Sequence, residues 1–148
     1  MGFAAANANT TATALDGLPP PPCARLLGWE LLAARPKEGW IKVGFDARWE
    51  FTNPAGYIQG GFLAAMLDDT MGPAVFVMSE GRLYSPTLDM HVSFLKPARP
   101  GRLVGEGRVI QLGKSIAFVE GTLSDATGEP VARATCTARL VDAEKALG

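Results

Sequence analysis

One stretch constrains the fold more than any other. From Gly61 to Met78 the sequence GFLAAMLDDTMGPAVFVM sets Phe62, Leu63, Ala64, Ala65, Met66, Leu67, Met71, Ala74, Val75 and Phe76 around nearly every side of a helix. A helix with one apolar stripe lies on a surface, whereas one that is apolar on all sides is expected to be buried on all sides. A chain of 148 residues must therefore wrap one long helix, and its length suits one domain with a sizeable core. Asp68 and Asp69 interrupt the run. Pro73 removes the amide that would bond the carbonyl of Asp69, which predicts a kink. The carboxylates and the proline also argue against a membrane span.

The wrapping is strand-like. Ile41, Val43, Phe45 and Ala47 alternate with Trp40, Lys42, Gly44 and Asp46, and residues 36–39 supply a turn, so 29–47 reads as a hairpin. After the helix, Leu88, Met90, Val92 and Phe94 are expected on one face of a strand and Thr87, Asp89, His91 and Ser93 on the other. Three more long strands follow, with glycine-containing turns at 112–114 and 125–129. Such short turns make the sheet antiparallel. The expected class is α+β, a long central helix wrapped by a curved antiparallel sheet. Residues 1–20, rich in Ala, Asn, Thr and Pro, read as a disordered tail. Residues 21–148 form the domain, with a short helix near PCARLLG between its Pro start and Gly stop.

Composition narrows the function. The net charge is -1 and no basic stripe marks a nucleic-acid binder. Cys23 and Cys136 lie far apart and His91 is the one histidine, so neither a metal site nor a disulfide framework is expected, and a reducing cytoplasm fits. The opening MGFAAANANTTATA lacks the basic start and apolar core of a signal peptide.

From Asn53 to Asp68 the chain reads N-x-x-G-x-x-Q-G-G-x-x-x-x-x-x-D. This resembles the hotdog-fold acyl-CoA thioesterases of the PaaI-like group, whose usual pattern is N-x-x-G-x-x-H-G-G with an Asp nine positions after the His. Asn53, Gly56, Gly60, Gly61 and Asp68 match, and Gln59 stands where the His is usual. The Gly113-Lys114 turn, the strand with Glu120 and the closing TGEPVARATCTARLV are also similar, so the likeness covers roughly residues 25–141. The resemblance implies a hotdog fold without a cofactor that hydrolyses a medium-chain or aromatic acyl-CoA to free acid and CoA. It also implies a homodimer, often paired into a tetramer. Two other readings stay open. A CoA-ester hydratase or dehydratase generally pairs an Asp with a nearby His, which Asp68 lacks; a non-catalytic acyl-CoA-binding protein is kept open by Gln59.

The chemistry can be assigned by residue. Gly60 and Gly61 sit at a helix start, where amides have no internal partner and the macrodipole is positive. The Gly60 amide, with Gly61 as a second donor, is expected to bind the thioester carbonyl oxygen. Asp68 is expected to activate water or to attack the thioester itself; partial desolvation would raise its basicity. Asp69, about 100° further round the helix, is read as structural or solvent-facing. Asn53 is either a holder of the attacking water, an orienter of Asp68, or a turn former before Pro54. Gln59 can donate through its amide but cannot titrate near neutrality. Thr87 matches the group's position for a hydroxyl that supports the carboxylate or water. The offset of His91 matches no site position.

Gly60 and Asp68 are eight residues apart, about 12 Å along a helix, whereas a nucleophile must sit about 3 Å from the carbon it attacks. Two antiparallel helices from a two-fold dimer solve this, the Asp68 of one facing the Gly60 of the other. Coenzyme A phosphates would be met by exposed basic side chains among Arg82, Lys96, Arg99, Arg102 and Lys114. The acyl group is expected near Trp49, Phe51, Phe62 and Met66.

Overall fold

The computed structural model describes residues 12–148. Proline at its first turn and Gly28 in the left-handed region (φ 67°) bound helix α1, Pro22–Leu27. The chain then enters β1 (Glu30–Arg35), turns through Pro36–Glu38, and returns antiparallel as β2 (Trp40–Ala47). After the long helix α2 (Gly60–Met78) come β3 (Leu83–Tyr84), β4 (Thr87–Phe94), β5 (Gly101–Leu112), β6 (Ile116–Ser124), β7 (Pro130–Arg139), β8 (Val141–Asp142) and α3 (Ala143–Leu147). Six strands form one antiparallel sheet in the order β1-β2-β5-β6-β7-β4. The α+β class, the hairpin, the central helix and the later turns are as expected from the sequence. The small β3–β8 pair and α3 are not, because two-residue strands are too short to show a period.

The sheet closes on α2 mainly through β5, β6 and β2. Ile41, Val43, Phe45, Met66, Leu67, Met71, Leu103 and Leu123 are fully buried between them. Two glycines of β5 let the helix come close. A Cβ at Gly107 would lie 2.9 Å from the Thr70 carbonyl, and one at Gly105 would run into the Thr70 hydroxyl. That hydroxyl is buried and donates to the Met66 carbonyl at 2.7 Å. By length and composition α2 could cross a membrane, but here it is the helix around which the core is built.

Three expectations need correction. Gly61, Ala65 and Asp68 are exposed, so α2 is not buried on all sides. They form a strip three and four residues apart, on the face that the sheet's curve leaves uncovered. Of the two readings of Asp69, structural or solvent-facing, the second fails: the residue is half-buried, and its Oδ2 is enclosed with no hydrogen-bond partner among the described residues. Being a step round the helix from Asp68, it turns into the packed side. The alternation along β4 holds for Met90 and Val92, which pack on the core between exposed Asp89, His91 and Ser93, but it fails at the strand's start, where a register shift between Thr87 and Asp89 accompanies a Leu88 that is 60% exposed. Phe94, at the strand's other end, is 55% exposed.

Pro73 lies inside α2, which continues to Met78. The Asp69 carbonyl accepts a hydrogen bond from Trp29 Nε1 at 2.9 Å, so an indole replaces the missing amide. Of the N-terminal 1–20, residues 1–11 lie outside the described residues. Beyond them the Thr13 amide donates to the Asp16 carboxylate at 3.0 Å, and Leu15 packs on the core. Both cysteines are free thiols.

Candidate active site

The loop that delivers the chain to α2 is built by turn chemistry. Asn53 Oδ1 accepts the amides of Ala55 (2.9 Å) and Tyr57 (3.1 Å). The backbone of Asn53 bonds the amide of Gly56 and the carbonyl of Tyr57. Gly56 holds φ 83°, a conformation open to glycine at little cost. Asn53 and Gly56 therefore shape the loop, and within the chain Asn53 makes no bond to Asp68. The loop is tied down by the bridge of Thr52 to Ile58 and by the Ile58 amide on the Ala98 carbonyl at 2.8 Å.

Gln59 is the N-cap of α2. Its extended backbone (φ -63°, ψ 137°) turns the chain into the helix, and its Oε1 accepts the Gly61 amide at 2.7 Å. The amides of Phe62 and Leu63 bond the Gln59 carbonyl. The Gly60 amide has no partner among the described residues. Gly61, expected as a second donor, has its amide already engaged within the chain. Phe94, from β4, lies against Gly60, its Cζ 3.1 Å from where a Cβ would stand. Phe94 was expected to share a face with Leu88, Met90 and Val92, of which Met90 and Val92 pack on the core. Its neighbour Leu95, a second consecutive large apolar residue at a strand end and also exposed, was the signal that the alternation had ended.

Two turns along α2, Asp68 and Thr87 come together. Thr87 Oγ1 donates to Asp68 Oδ1 at 2.7 Å, across nineteen residues of sequence. Hydrogen bonds to a charged acceptor are stronger than neutral ones and fix its orientation. One carboxylate oxygen is thereby held and the other left for a water or an acyl carbon. Asp68 itself is exposed in the chain.

Desolvation falls on its neighbour. Burial, reinforced by the Asp68 charge, pushes Asp69 up to about 6 from an ordinary 3.8. Cys136, buried on β7, is likewise pushed up to about 11, by burial first and by Asp68 second. Its thiol is thus protonated at neutral pH and is no nucleophile.

The basic candidates divide. Lys96 pairs with Glu129 (2.6 Å) and Asp125 (2.9 Å). Arg102 bridges Glu30 and Asp46. Arg82 Nε donates to the Ser79 carbonyl at 2.9 Å. Arg99, stacked over the Tyr57 ring (5.4 Å), and Lys114, exposed in the β5–β6 turn, have no carboxylate partner among the described residues. Phe51 is buried and stacks on Phe62 at 4.3 Å, and Met66 is fully buried, whereas Trp49 is 71% exposed. His91 lies across the sheet from the helix, in a groove of about 480 Å³ with Trp40, Glu120 and Arg133.

Comparison with known proteins places the fold. A family model described as the thioesterase superfamily matches residues 55–132. The chain is 37% identical to a phenylacetic acid degradation-related protein of Ralstonia eutropha, whose structure superposes with a TM-score of 0.79 over 84% of this chain and 95% of that one. It is 30% identical to human acyl-coenzyme A thioesterase 13 over 93 residues, 62% of this chain and 66% of that protein. A protein of Streptococcus mutans solved bound to acetyl CoA shares the fold (TM-score 0.69, 78% of this chain and 90% of that one) at 22% identity.

Proposed function

The chain belongs to the thioesterase superfamily, and from that membership we propose that it hydrolyses the thioester of a medium-chain or aromatic acyl-CoA to the free acid and CoA. The hydrogen bond from Thr87 to Asp68 at 2.7 Å carries this reading. It orients a carboxylate on the open face of a helix whose first amide is unpartnered. Asp68 is the base or nucleophile, and the Gly60 amide stabilises the oxyanion. Losing one such donor typically costs about 3 kcal/mol of barrier.

The working unit is a two-fold dimer. Eight residues separate Gly60 from Asp68, about 12 Å along the helix, so one thioester cannot touch both on one chain. Two features of the single chain support pairing. The strip of Gly61, Ala65 and Asp68 gives a second helix a close approach. The eight-residue edge strand β4 leaves one side of its backbone unpaired. Across such a contact Asp68 meets substrate and water beside the partner's helix start. Pairing of dimers into a tetramer belongs to the same reading. Arg99 and Lys114, with no carboxylate partner among the described residues, suit the phosphates of CoA. The edge of the Phe51–Phe62 stack suits the acyl chain.

The test is thiol release from short, medium and aromatic acyl-CoA esters, wild type beside Asp68→Asn. Turnover by the wild type, lowered at least about 100-fold in an Asp68→Asn protein that melts normally, is the expected result. Ligand-induced stabilisation without turnover would replace it with the reading of a non-catalytic acyl-CoA-binding protein.

A further inference from the structure

We infer that the Gln59 carboxamide is itself a donor to the thioester carbonyl, taking the place of the Gly61 amide, which it withdraws from the substrate. The inference rests on the thioesterase reading and extends it to a residue with a defined geometry. Gln59 Oε1 sits 2.7 Å from the Gly61 amide. A backbone N–H must be met by an acceptor, so the orientation of the carboxamide follows: Oε1 faces Gly61 and Nε2 faces away. Gly61 provides the room, since a Cβ there would lie 2.7 Å from that same oxygen. Gln59 is exposed, and its Nε2 has no partner among the described residues.

The helix end thus presents two donors, the Gly60 amide and Gln59 Nε2, one residue apart and anchored to the same turn. Both are neutral amide N–H groups. Held in place before the substrate arrives, they gain strength as negative charge grows on the oxygen. Neither titrates near neutrality, so this arrangement keeps its donor strength over a range in which an imidazole would change charge.

Gln59→Glu separates this role from capping. A carboxylate still accepts the Gly61 amide and is favoured at a helix N-terminus, but it carries no proton where Nε2 was. The expected protein melts like the wild type, with kcat about 100-fold lower and a smaller change in KM. Gln59→His is expected to recover part of the rate with a new pH dependence near about 6.5. A Gln59→Glu protein with kcat within about threefold of the wild type would overturn the assignment, because capping alone would then explain the residue. A wild type that releases no thiol from any ester would overturn the thioesterase reading, and this inference with it. An active wild type beside an unimpaired Gln59→Glu would overturn the donor role alone.

Discussion

Asp68 and Asp69 share a peptide bond and little else. Asp68 is exposed and held by the Thr87 hydroxyl, whereas Asp69 turns toward the packed side with an oxygen that nothing among the described residues bonds. The difference has a pH signature. An acid raised to about 6 in the fold, from an ordinary 3.8, keeps its proton longer when folded than when unfolded. Below the lower value it contributes nothing. As pH rises through this window the unfolded chain ionises first, so stability falls, and the full penalty is present above about pH 6. Asp69→Asn removes the titration. Its melting temperature relative to the wild type should climb between about pH 4 and pH 7, by a few degrees, for a term on the order of 2 kcal/mol after discounting for partial exposure. Other carboxylates titrate in both proteins and cancel in the difference. A flat difference would mean that the Asp69 carboxylate is stabilised after all.

At the scale of elements, α2 tolerates Pro73 because β1 begins beside it. The indole of Trp29, just before that strand, reaches the Asp69 carbonyl freed by the proline. Trp29→Phe keeps most of the ring and loses the donor. It should cost about 1–3 kcal/mol in denaturant unfolding, since a half-buried carbonyl loses its partner. A loss no greater than that of a solvent-facing substitution would show that water substitutes freely. The start of α2 offers a sharper tool. Gly60 is the first helical residue and Gln59 before it is already extended, the setting in which proline is accepted. Gly60→Pro should therefore delete one N–H and leave the helix, provided that the exposed Phe94 ring, 3.1 Å from the new Cβ, shifts aside.

At the scale of the whole molecule, a site that draws Asp68 from one chain and Gly60 from another can be tested by mixing. Asp68→Asn and Gly60→Pro should each be impaired alone. Random reassortment makes half the dimers mixed, and each mixed dimer has one site with both defects and one with neither. Activity should return to about a quarter of the wild-type value. If mixing restores nothing although subunits exchange, each chain carries its own complete site. The same dimer would cover the exposed strip of α2, the one place where the chain alone fails the expectation of a helix buried all round.

Periodicity was enough for the helix, the hairpin, the strands and the α+β class, because each has a local hydrophobic signal several residues long. The motif from Asn53 to Asp68 was legible because turn chemistry and helix starts are local as well. The pairing of Thr87 with Asp68 could be expected only through the family resemblance, since it joins residues nineteen positions apart. Tertiary structure decided the rest. Which of two adjacent aspartates is enclosed, which amide Gln59 occupies, that Phe94 leaves the core to lie on Gly60, and that Trp29 serves Pro73 all depend on where distant elements meet. The physical reason is that local pattern encodes a residue's face, whereas partner and burial are set by whatever the fold brings against that face.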